Sequence, residues 1–118
     1  MTYAQLEQRV RLLVNDTEPG AYRFASEDVR GFIADAVRHL RNVNPSEKYD
    51  PNTGLVDESL PDPLGEDAAS SEVRFDPRHE EAVVKYAAHK VYELDQTDTV
   101  NLQISETLRT RAEALMQL

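Results

Sequence analysis

The sequence predicts an all-α fold, a small four-helix bundle with a long acidic loop between its second and third helices. Three observations lead there. Apolar residues recur at spacings of three and four in four separate stretches. Cap and turn residues bound those stretches. Residues 44–76 lose the period and gather prolines and carboxylates instead. A chain of 118 residues suits one domain with one modest core, so residues 1–118 are read as a single unit.

The first helix is placed over residues 2–14. Thr2 and Gln5 make a capping box, and Tyr3, Leu6, Val10 and Leu13 share one face. The turn formers of "NDTEPG" stop it. The second helix is placed over residues 26–43, beginning at Ala25 or Ser26 with Glu27 and Asp28 near its positive end. Val29, Phe32, Ile33, Ala36, Val37 and Leu40 form its apolar stripe, and Asn44-Pro45 ends it.

Residues 44–76 are the insertion loop. They hold four of the six prolines and nine acidic residues against two basic ones, a net charge of −7 out of −9 for the whole chain. A loop of this length is functional or disordered. "GLVDESL" and "SEVRFD" could instead pair as a short β-hairpin, with Val73 and Phe75 on one face.

The third helix is placed over residues 77–95, with Asp76 as N-cap and Pro77 at its first position. Val83, Tyr86, Ala87, Val91 and Leu94 supply its buried face. After the break "DQTDT", the fourth helix covers residues 98–117, with Val100, Ile104, Leu108, Ala112 and Leu115 on one stripe.

The function classes narrow by exclusion. An excess of 22 acidic over 13 basic residues argues against gripping nucleic-acid phosphates or an anionic membrane surface. There is no cysteine, so thiolate zinc sites and disulfides are excluded. No apolar run approaches membrane-spanning length, and the first residues lack a signal-peptide core, so the expected setting is intracellular. His79-Glu80-Glu81 has no second histidine at zincin spacing, and "YDPNTG" lacks calcium-loop spacing. The three histidines read as surface or boundary residues, and no carboxylate has an apolar context that would tune it for acid–base work. The reading is a non-enzyme with no metal and no cofactor.

Interaction candidates remain. Tyr22 and Arg23 are residue types that dominate binding hot spots, while Phe24 is read as closing the entrance of the second helix. Gly31, mid-helix, is either a tolerated glycine or a point of close backbone approach by a helix or a neighbouring subunit. Met116 and Leu118 lie off the core stripe and form a candidate apolar tip.

The order of these pieces resembles the head–tail connector, or adaptor, proteins of tailed bacteriophages. "LLVNDT", "YRFASEDVRGFIADAVRHL" and "HEEAVVKYAAHKVYELDQTDTVNLQISETLRTRAEAL" carry the resemblance. The matching positions are Phe24, Ala36, Tyr86, Ala87, Ala88, Tyr92, Asp95, Asp98, Asn101, Leu108, Ala112 and Leu115. One departure is Ala25, where the family usually has Ser, Asp or Thr; the cap is either shifted to Ser26 or weak.

The resemblance implies a structural virion protein of the phage neck. Twelve copies would form a ring under the portal protein, extend the DNA channel and present a platform to the next neck or tail-completion protein. Genomic DNA would pass without sequence-specific binding. On that expectation the last helix and C-terminal tip meet the portal, and the acidic residues Asp57, Glu58, Asp62, Glu66 and Asp67 line the lumen or meet the next ring. The free chain is expected to be a monomer whose loop orders on assembly. The rival reading is an acidic helical regulatory module binding one protein partner, antitoxin-like or mimicking DNA charge.

Overall fold

The computed structural model describes residues 1–18, 20–94 and 99–118. The fold is the expected one: a small helical domain of four α-helices, with no β-sheet among the described residues. The helices are α1 (Tyr3–Leu13), α2 (Ser26–Val43), α3 (Glu80–Leu94) and α4 (Thr99–Met116).

Local chemistry explains the ends. The Thr2–Gln5 capping box forms in both directions and starts α1. Asn15, at φ 57°, ends it; asparagine tolerates this left-handed conformation better than most side chains. Ala25 stands at the N-cap of α2 with no side-chain hydrogen bond, so that cap is weak rather than shifted. Asp76 caps the residues before α3 by accepting from the Arg78 N–H. Residues Pro77–His79 form a 3₁₀ turn, and the α-helix proper starts only at Glu80. The break predicted around Asp95 and Asp98 lies outside the described residues.

One core cluster unites the helices. Tyr3, Leu6 and Val10 from α1, Val29, Ile33, Val37 and Leu40 from α2, and Val83, Ala87 and Val91 from α3 are all fully buried. α3 is the central element, packed against each of the others. Its closest partner is α4, and small side chains there (Ala87, Ala88, Ser105, Ala112) suit close helix approach.

The fourth-helix stripe departs from its sequence reading. Ala112 is buried and Leu108 and Leu115 pack against the core, but Val100 is 54% exposed and Ile104 36%. Ser105 and Met116 are buried in their place. The inward face of α4 is therefore rotated toward the polar Ser105, which bonds to α3.

Residues 44–76 contain no strand. "GLVDESL" and "SEVRFD" do not pair with each other: Val56 bridges back to Tyr49, and Glu72 bridges to Thr2. Their backbone N–H groups are taken elsewhere: Asp57 N–H donates to Lys48 O and Val73 N–H to Met1 O. The segment is nonetheless tied to the helices. Arg41 of α2 donates to the carbonyls of Glu58, Ser59 and Arg74. Arg74 donates to those of Glu47, Tyr49 and Asp57. Tyr3 Oη donates to Pro61 O at 2.7 Å, and Arg30 reaches Pro63 O. The loop expected to order on assembly is already anchored within the single chain.

Candidate functional site

The aromatic–Arg–aromatic triplet sits in a charged knot between α1 and α2. Arg11 is 2% exposed, and its Nη1 lies 2.6 Å from Asp16 Oδ2. Its Nε donates to Glu7 at 2.9 Å and its Nη2 to Phe24 O at 2.9 Å. The Tyr22 ring covers the same guanidinium, 3.7 Å from its centroid. Asp16, itself 4% exposed, accepts from the N–H groups of Arg23 and Phe24. Glu7 also accepts from the Ser26 hydroxyl and from Arg30. Ser26 Oγ also accepts from Arg11 Nη2, and as the first residue inside α2, behind Ala25 at the N-cap, it is not placed to cap the helix.

This changes the roles of the predicted interface residues. Tyr22 is 41% exposed but is engaged with Arg11 inside the chain. Arg23 has its backbone held by Asp16, and its guanidinium stands 5.4 Å from the Phe24 ring centroid. Phe24 packs against the core as expected. A Cβ placed on Gly31 would meet no atom within 4 Å, so no helix of this chain approaches it closely. Met116 is fully buried, and its carbonyl accepts from Asn44; its expected exposure is corrected, because its side chain completes the core beneath α2. Leu118 is 72% exposed. The two candidate patches lie apart, since Tyr22 and Arg23 precede α2 while Asn44, beyond its end, holds Met116. Eighteen helical residues span about 27 Å.

Of the acidic residues, Glu58, Asp62, Glu66 and Asp67 are exposed and Asp57 is half-buried. Asp57 is held below the usual carboxylate range by the Ser59 side chain and then the Ser59 N–H, which donates at 2.9 Å. Asp50 binds the Asn52 N–H, and Gly54, at φ 69°, turns the chain. These carboxylates shape turns in "YDPNTG". Beyond the turn, Tyr49, Leu55 and Val56 project as exposed apolar side chains.

Two features were missed in the sequence. The first is a buried pair: Glu47 and His79 are 5% and 0% exposed, with Oε1 and Nδ1 2.6 Å apart. Glu47 also accepts from the Asp76 N–H. Asn44 Nδ2 stands 3.4 Å from His79 Nε2, linking the end of α2 to the start of α3. His79 is therefore a core residue rather than a surface one, as is His89 at 2% exposure. Such a carboxylate–imidazole pair orients a base in many enzymes, but here it is sealed from solvent and joins backbone segments. The pairing was hidden because Glu47 and His79 are 32 residues apart. The second feature is a shallow groove of about 580 Å³ between the end of α1 and the start of α3, floored by Leu12, Leu13 and Val84 and rimmed by Arg9, Arg78 and Lys85. Leu13 was assigned to the core stripe, yet it is 41% exposed and Leu12 is 70% exposed. Their signal was two adjacent leucines, which cannot both face inward at the end of a helix.

Among the described residues no group of three or more His, Asp or Glu could hold a metal ion. The chain matches no family model, no curated protein and no solved structure.

Proposed function

We propose that this chain is a structural adaptor of a tailed-phage neck, a ring-forming subunit that sits under the portal protein and carries the DNA channel to the next component. One observation supports it most. The segment holding most of the net charge is pinned to α2 by Arg30 and Arg41 and braced within itself by Arg74, while Glu58, Asp62, Glu66 and Asp67 point to water. A fixed surface of one sign repels phosphate, so DNA passing it slides instead of sticking. The resemblance in helix order and in the Phe24, Tyr86–Ala88 and Ala112–Leu115 positions supports the same reading.

The ring contacts would be heterologous and close under rotation. With Met116 inside the core, a portal contact at the end of α4 rests on Leu118 and the exposed flank of that helix. The Leu12–Leu13 groove is a second apolar surface for a neighbour. Cosedimentation with purified portal rings of the same phage tests the reading. The expected result is a large complex with several copies of this chain per portal ring. A one-to-one complex with a DNA-binding protein, and none with the portal, would favour the acidic regulatory module instead.

A further inference from the structure

His89 lies on α3, buried against α4, and takes no part in the charged knot or the acidic segment. Ser105 Oγ of α4 donates to the His89 carbonyl at 2.9 Å, which uses the hydroxyl's one proton. The same oxygen stands 3.4 Å from His89 Nδ1 and can there only accept. Glu93 Oε1, 3.5 Å from Nδ1, is a second acceptor. The imidazole proton therefore sits on Nδ1. Nε2 keeps a lone pair, buried and without a hydrogen-bond partner among the described residues. An unpaired neutral acceptor costs little beside a buried cation with an unmet N–H.

The surroundings join three helices. His39 of α2 stacks on Tyr86 of α3 at 4.7 Å, and Tyr86 meets His89 edge-on at 4.6 Å. Among the described residues, the charged and titratable groups around His89 are His39 from α2, Tyr86, Lys90 and Glu93 from α3, and Arg109 and Glu113 from α4. Asp35 of α2 acts on Tyr86 in the same cluster. His39 Nε2 lies 3.5 Å from Glu113 Oε1. Burial disfavours a charge on His89, Lys90 and Arg109 add to that, and Glu93 and Glu113 oppose it; the balance holds the group below its ordinary value.

We infer that His89 is an acid-sensitive lock on α4: a proton taken up at Nε2 has no acceptor among the described residues of the α3–α4 interface, and its arrival releases α4 from α3. The outer half of α4 turns Val100 and Ile104 toward solvent and buries Ser105 against α3. The direction follows from linkage. The unfolded chain takes up a proton on this histidine near pH 6.5 and the folded chain only below that. The stability that neutral His89 contributes is complete above pH 6.5 and declines as pH falls toward the lowered folded value.

Hydrogen exchange at residues 100–116 across pH 7.5 to 5, corrected for the intrinsic exchange rate, tests this beside an NMR titration of the three imidazoles. The expected result is a loss of protection in α4 of up to tenfold per pH unit below about 6.5. Protection in α1 should stay above that in α4 throughout, and His89 should titrate below the ordinary histidine value. His89→Asn keeps a donor toward Ser105 and takes up no proton, so its profile should be flat. If that variant does not fold, the titration and exchange of the unaltered chain decide. His89 titrating at or above the ordinary value overturns the proposal. So does α4 protection that stays level through its titration, or an acid response confined to residues 45–79 around Glu47 and His79.

Discussion

Asp16 holds the turn between α1 and α2 with one carboxylate. It pairs with the buried Arg11 and satisfies two backbone N–H groups at the start of the Arg23–Phe24 stretch. Removing it leaves a guanidinium buried at 2% exposure with only Glu7 as counter-charge. Breaking one side of such a pair costs about 3 kcal/mol. Asp16→Ala should lose that much in urea unfolding, and a loss under 1 kcal/mol would mean the knot is not a stabilising unit. Gly31 offers a test that separates monomer from assembly. Because a Cβ there meets nothing within 4 Å, Gly31→Ala should stabilise the isolated chain by about 1 kcal/mol. If Gly31 touches a neighbouring subunit, the same variant will assemble less well while unfolding later. Thermal unfolding and ring yield, measured on one sample, read both.

At the level of elements, the acidic segment depends on Arg41. Its guanidinium donates to three carbonyls, two within the segment's middle and one on Arg74. Burial, and then the neighbouring Arg74 charge, push its pKa down, yet it stays charged at neutral pH. Arg41→Met keeps the aliphatic stem and deletes the donors. Amide exchange in residues 48–76 should rise more than in α1 and α3, with a stability loss of about 2 kcal/mol. Uniform loosening of the whole domain would contradict the view that Arg41 acts on that segment.

Elements were legible where local rules fix them. The Thr2 capping box, the Asp76 cap and the stripe of α2 are written in adjacent residues, and they fold as read. What stayed hidden was decided across long separations. Arg41 follows Val37 by one helical turn on the buried side, a position whose polarity makes sense only with the loop's carbonyls in place. The stripe of α4 was read one step off because Ser105 faces inward for its bond to His89 O. Met116 packs into a core built by α1, α2 and α3, and its carbonyl accepts from Asn44, 72 residues away. Tyr22 and Arg23 also have intrachain roles that their residue types did not reveal, a ring over a buried arginine and a backbone N–H held by Asp16.

Over the whole molecule the charge is strongly uneven. Residues 44–76 carry −7 of the total −9, so the rest of the chain is close to neutral. The domain is also flat, 44 × 32 × 17 Å, a shape that can stand side by side in a ring. A neutral helical body limits repulsion between copies, while the acidic segments would accumulate charge where they converge. Electron microscopy of this chain mixed with portal rings tests the proposed adaptor arrangement directly. The account predicts a closed ring of this subunit coaxial with the portal, with residues 44–76 at the lumen or on the face away from the portal. Single copies or dimers with no ring-shaped density, or a ring whose acidic segments face outward to bulk solvent, would contradict it.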